Sequence, residues 1–139
     1  YPGTTWKAQA HKMNESKDTT EKQAIQKAIL DYYHEGHAKY DPELYDNILH
    51  SEWKFFLFEG DDLKVVDREE FNTWYDPEKL NPELVWETEF YSIDVTGDIA
   101  AVKLRLENQI VRYIDYLNMM KIRGKWWIVH KLSHDVQKK

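Results

Sequence analysis

Residues 110–134, IVRYIDYLNMMKIRGKWWIVHKLSH, decide how this chain is read. Two stretches rich in Ile, Val, Tyr, Trp and Met flank Arg123-Gly124-Lys125, where glycine supplies the positive φ that a tight reversal needs. The run is therefore a hairpin of two long strands. Strand side chains alternate, so Val111, Tyr113, Asp115, Leu117, Met119 and Lys121 share one face, and Ile110, Arg112, Ile114, Tyr116, Asn118, Met120 and Ile122 share the other. Neither face is purely polar. A strand apolar on both sides is expected to be covered on both, by helices on one and by a second subunit on the other. Asp115, a carboxylate set among aromatic and aliphatic neighbours, is the anomaly.

Working outward, Ile99 to Asn108 alternates Ala100, Val102, Leu104 and Leu106 against Lys103, Arg105 and Glu107, as in a half-exposed strand. Thr96-Gly97-Asp98 turns it back on a strand from Leu84 to Val95. Further upstream, Trp53 to Phe58 and Leu63 to Val66 form a shorter hairpin around Glu59-Gly60-Asp61-Asp62. Helix signals precede these strands. Thr20-Glu21-Lys22-Gln23 has the form of a capping box, and Ala24, Ile25, Ala28, Ile29, Tyr32, Tyr33 and Gly36 follow near the 3.6-residue period. Asp41-Pro42-Glu43 opens a second, short helix. Asp67, followed by Glu69 and Glu70, opens a third, with Phe71, Trp74 and Tyr75 as its buried side. Helices gathered ahead of an antiparallel sheet make an α+β layer architecture. Residues 1–19, polar and aperiodic, are expected to form an extended N-terminal arm, and residues 20–139 a single domain.

Composition narrows the function. Nineteen Lys and Arg against 25 Asp and Glu leave a net charge of −6, which disfavours nucleic acid as a partner. The absence of Cys removes disulfides, thiol nucleophiles and thiolate metal sites. No apolar run is long enough to span a bilayer, so a soluble chain without a membrane partner is expected. The chain opens on Tyr1-Pro2-Gly3 rather than Met; removal of an upstream segment is expected, by signal processing or by the choice of expressed piece, and cytoplasmic and exported settings both stay open. Six Trp, nine Tyr and five Phe point to a bulky core, an aromatic-lined cavity, or both.

Five sequence features together resemble a known family: Tyr33-His34-Glu35-Gly36, Leu49-His50, the run from Ile93 to Val102 around Thr96-Gly97-Asp98, Asp115-Tyr116-Leu117, and Gly124-Lys125-Trp126-Trp127-Ile128-Val129-His130-Lys131. Across Thr20 to His134 the chain resembles the nuclear transport factor 2-like superfamily, in its SnoaL-like branch of lumazine-binding proteins. The resemblance implies a cone: about three N-terminal helices packed on a curved antiparallel sheet, a pocket at the wide end, and a homodimer formed through the outer face of the sheet.

The candidate site follows from the residue types. Small-molecule pockets combine aromatic walls with a few polar groups, and Tyr33, His50, Trp74, Trp86, Tyr113, Asp115 and His130 supply both. The first expectation is binding of a small, partly apolar ligand of unknown identity. The second is a cofactor-free isomerase or dehydratase with Asp115 as general base, an activity that the resemblance implies for relatives of this fold and that burial of a carboxylate favours. The third is a structural or partner-binding module whose pocket is filled by its own side chains. On the last strand Trp126, Ile128, His130, Leu132 and His134 alternate onto one face, and either face could line the cone, presenting His130 on one alternative and Lys131 on the other. His34 and His37 read as solvated helix histidines, and no metal or cofactor is expected from the His spacing. Gly-x-Ser-x-Gly and phosphate-cradling glycine loops are both lacking, which disfavours serine hydrolysis and nucleotide hydrolysis.

Overall fold

The structure, a computed structural model, describes residues 17–138; of the arm expected over residues 1–19, residues 1–16 lie outside the described residues, and residues 17–19 are helical rather than extended. Helix α1 covers residues 17–39 and is α-helical at both ends, with a π-helical segment at Ile29–His34 between residues 17–28 and Glu35–Lys39. Thr20 lies inside this helix, so the expected capping box does not start it. Glu21 instead ties the helix to the sheet, accepting from Lys121 Nζ at 2.7 Å and Trp126 Nε1 at 2.5 Å. The short α2 spans Pro42–Tyr45 and α3 spans Arg68–Trp74. Their starts are fixed as the sequence implies: Asp41 accepts from the Glu43 amide and Asp67 from the Glu70 amide.

Ile25, Ile29, Tyr33 and His37, four residues apart, form the buried edge of α1. A strict four-residue spacing drifts around a 3.6-residue helix, and the wider π turn takes up that drift, keeping Tyr33 and His37 over the sheet. Gly36 lets α2 approach. A Cβ there would collide with the Tyr45 ring, so only glycine permits this packing.

Among the described residues six strands form one sheet in the order β2-β1-β6-β5-β4-β3: β1 Leu49–Glu59, β2 Asp62–Val66, β3 Glu87–Thr96, β4 Ile99–Glu107, β5 Val111–Ile122 and β6 Lys125–Gln137. Every pairing is antiparallel except β1 with β6. That parallel contact brings the start of the sheet against its C-terminal strand, and β1 is longer than the expected Trp53–Phe58 because its first residues pair there. The β5–β6 turn is the two-residue Arg123-Gly124, with φ of 53° and 79°, the geometry a right-twisted hairpin prefers. Irregularities bend the sheet at Phe90/Ser92 on β3, between Leu49 and Lys54 on β1, and where β6 passes Asn118/Met119.

The helices cover one face of this sheet. Trp53, Tyr33, Tyr45, Phe71, Leu104, Leu106, Leu117, Met119 and Ile128 are all but completely buried between the layers. Burial of each such apolar side chain is worth about 1.5–3 kcal/mol, so this interior supplies the bulk of the favourable folding term. Among the described residues no helix is long and apolar enough to cross a membrane.

Candidate functional site

The face of β5 carrying Val111, Tyr113, Asp115, Leu117 and Met119 turns inward, so Asp115 lies at the centre of the sheet with no exposed surface. Tyr33, delivered from the π segment of α1, donates its hydroxyl to Asp115 Oδ2 at 2.5 Å. Lys131 Nζ lies 3.9 Å from the same oxygen. Its ammonium sits over the rings of Tyr33, Phe55 and Phe71, at 5.3, 4.7 and 5.0 Å from their centroids. Aromatic faces and one carboxylate together offset part of the cost of burying that charge. Burial nonetheless pulls the lysine below its ordinary range, with Asp115 opposing the shift. Tyr33 is pushed well above the usual phenol value, first by burial and then by the adjacent carboxylate, so its proton stays on the oxygen.

Lys131 occupies this place because of one extra residue. Asn118 pairs with His130 but Met119 with Ile128, leaving Val129 as a bulge that reverses the alternation of β6. Before it Trp126 and Ile128 face inward; after it Lys131 and Ser133 do. The expected sharing of one face by Trp126, Ile128, His130, Leu132 and His134 is therefore overturned. His130 lies on the outer side of the sheet, its ring 4.6 Å from that of Phe56. His50 sits against Trp127, with ring centroids 5.5 Å apart, in a surface cavity bounded by Arg123 and Lys125 at the β5–β6 turn. That turn lies about 30 Å along the strand from Tyr113.

The other candidates converge. Tyr113 and Trp86 stack at 6.4 Å, and with Tyr40, Trp74 and Tyr75 they line an open cleft of about 280 Å³. Trp74, expected on the buried side of its helix, is 38% exposed at this mouth. Tyr75 and Trp86 separate the cleft from a residue that the sequence reading set aside. His37 is completely buried, its ring 4.7 Å from those of Tyr33 and Tyr75, 5.3 Å from Tyr45 and 5.5 Å from Trp86. Burial, reinforced by Lys131, holds its pKa well below the usual imidazole value. The signal that could have found it is the continuation of Ile25, Ile29, Tyr33 by four more residues.

Five buried polar atoms of this interior have no hydrogen-bond partner among the described residues: His37 Nε2, Tyr45 Oη, Trp53 Nε1, Asp115 Oδ1 and Ser133 Oγ. Leaving such a group unpaired costs about 1–3 kcal/mol, and native interiors contain few. The arrangement is chemically able to accept and donate protons within an apolar, aromatic wall. Among the described residues no group of three or more His, Asp or Glu is placed to hold a metal ion.

Comparison with known proteins agrees with this architecture. A family model described as "Putative lumazine-binding" matches residues 20–134. No curated protein matches the chain at a significant level. Among solved structures, a nuclear transport factor 2-like protein of unknown function from Shewanella baltica OS155 superposes with a TM-score of 0.76 at 23% identity, covering 86% of this chain and 97% of its own. A second such protein, from Silicibacter pomeroyi DSS-3, gives 0.73 at 21% identity, covering 85% and 98%. A ketosteroid isomerase-like protein from Erwinia carotovora atroseptica gives 0.62 at 13% identity, covering 84% and 96%. At these identities the likeness establishes the fold.

Proposed function

Because the chain belongs to the family described as putative lumazine-binding, within the nuclear transport factor 2-like superfamily, we propose that it binds a small aromatic molecule between helix α1 and the inner face of the sheet. The observation that carries this reading is the buried polar centre of Tyr33, Asp115 and Lys131, accompanied by unpartnered polar atoms and lying behind the aromatic wall of an open cleft. A core built for stability alone gains nothing from these groups, since apolar side chains of the same volume would avoid their desolvation cost. The family description supports a heteroaromatic ligand. Tyr33, Trp74, Trp86, Tyr113 and Asp115 are the residues of the expected set that serve this site; His50 and His130 would act outside it.

The reading is tested by thermal denaturation with a panel of small aromatics. A ligand at a hundredfold excess over its Kd adds about 2.7 kcal/mol, which for a chain of this size raises the melting temperature by roughly 8 °C. A panel that leaves the melting temperature unchanged sinks it.

A second reading rests on Asp115 alone. Its Oδ1 is unpartnered while Oδ2 is held by Tyr33, the disposition of an oriented general base, and this favours a cofactor-free isomerase or dehydratase as the alternative. Turnover that survives Asp115→Asn would remove it. A homodimer through the outer face of the sheet belongs to the same proposal, supported by the exposed Ile99, Tyr116, Met120 and Leu132 on β4, β5 and β6.

A further inference from the structure

His37 has a fixed tautomer. Its Nδ1 lies 2.8 Å from the Tyr33 carbonyl oxygen, and a carbonyl can only accept, so Nδ1 carries the proton and Nε2 presents a lone pair. That lone pair is fully buried and has no partner among the described residues. Four further buried atoms of the same interior are equally unpartnered: the acceptor Asp115 Oδ1, the indole donor Trp53 Nε1, and the hydroxyls of Ser133 and of Tyr45, whose ring is 5.3 Å from that of His37. The unmet demand is therefore mixed: lone pairs that need a proton donor, and donors that need an acceptor. A hydroxyl group answers both, having one proton to give and two lone pairs to receive, whereas a ring N–H or a bare carbonyl answers only one. The walls are aromatic: Tyr75 and Trp86 pack against His37 on one side and line the open cleft on their other side.

We infer that the ligand of this site is an aromatic alcohol, a phenol-type molecule whose hydroxyl donates to His37 Nε2 while its ring lies along Tyr75 and Trp86. This rests on the small-molecule reading above and adds the chemical class and the anchoring residue. The backbone carbonyl of Tyr33, which lies within the π segment, orients the imidazole. Lys131 and Asp115 form a buried pair of opposite charge, which matches a neutral rather than an ionic ligand.

The test compares 4-nitrophenol with its methyl ether, 4-nitroanisole, at a pH low enough to keep the phenol protonated. The pair differ in the hydroxyl proton and share the ring. The phenol is expected to bind the wild-type protein at least tenfold more tightly than the ether, and the difference to collapse in His37→Phe while persisting in Lys54→Ala, a surface control. Because His37→Phe replaces a buried residue, a second measurement uses the unaltered protein: nitrogen-15 NMR of the imidazole should show Nε2 unprotonated in the free state and shifted by the phenol, but not by the ether. Equal binding of phenol and ether, or a His37 Nε2 that the phenol leaves unmoved, overturns the inference, assigns the unpartnered atoms to buried water, and leaves the small-molecule reading standing. Failure of both compounds to bind at millimolar concentration, together with an unresponsive melting temperature across the aromatic panel, overturns both.

Discussion

The Tyr33 hydroxyl and the Asp115 carboxylate meet at 2.5 Å although 82 positions separate them in the chain, and this bond joins the first helix to the centre of the sheet. Neither group has exposed surface. A hydrogen bond to a charged, water-excluded acceptor is among the stronger kinds, and its loss strands the carboxylate. Tyr33→Phe is expected to cost about 1.5–3 kcal/mol, read as a lower urea midpoint with an unchanged slope. A loss under 0.5 kcal/mol would mean that Asp115 finds another donor.

Gly36 tests the packing that carries Tyr33 and His37. In an exposed helix an alanine would improve the local propensity by about 1 kcal/mol. Here its Cβ would strike the Tyr45 ring, so Gly36→Ala should destabilise by about 1–3 kcal/mol in spite of that gain. Calorimetric melting of the two proteins decides the sign.

Acid sensitivity should trace to His37. Burial lowers its folded pKa beneath the unfolded value near 6.5, so below about pH 6.5 the unfolded chain binds more protons than the folded one. Stability is therefore present above the unfolded pKa and is lost as pH falls through 6.5 toward the folded value, at up to about 1.4 kcal/mol per pH unit. His34 and His130, shifted in the same direction by burial, add smaller contributions of like sign. Urea midpoints between pH 5 and 7 should flatten in His37→Gln relative to wild type; parallel curves would remove His37 as the source.

The buried pair of Lys131 and Asp115 predicts non-additive substitutions. Lys131→Met alone leaves the carboxylate without its cation and should cost about 3–5 kcal/mol, while Lys131→Met combined with Asp115→Asn should recover much of that loss. Additive losses in the double-mutant cycle would show that 3.9 Å is too far for the two charges to support each other.

The outer sheet face makes its own prediction. Tyr116 and Met120 are 51% and 43% exposed on β5. If this face pairs two copies, Tyr116→Lys with Met120→Lys should convert a dimer to a folded monomer by sedimentation, and a wild-type monomer would end the proposal.

Much of the fold was legible because local chemistry spelled it out. Asp41-Pro42 and Asp67 fixed two helix starts, Arg123-Gly124 fixed the hairpin turn, and the alternation around Asp115 pointed that carboxylate inward with Tyr113 and Leu117. The start of α1 was misread because Thr20-Glu21-Lys22-Gln23 satisfies a capping pattern, while Glu21 is used for bonds to Lys121 and Trp126, a hundred residues away. The site was half legible. Tyr33, Trp86, Tyr113 and Asp115 come together, but a bulge at Val129 has no sequence signature and reverses which of His130 and Lys131 faces inward. His37 escaped because helix periodicity assumes 3.6 residues per turn, and the π segment before it breaks that assumption.

The central claim, that the polar centre of Tyr33, Asp115 and Lys131 is a ligand site, is tested most directly by NMR chemical-shift mapping with an aromatic compound that raises the melting temperature. The account predicts that the largest shifts fall on Tyr33, His37, Tyr113, Asp115 and Lys131. Shifts confined to the β5–β6 turn around His50 and Trp127, or to the outer face of the sheet, would contradict it.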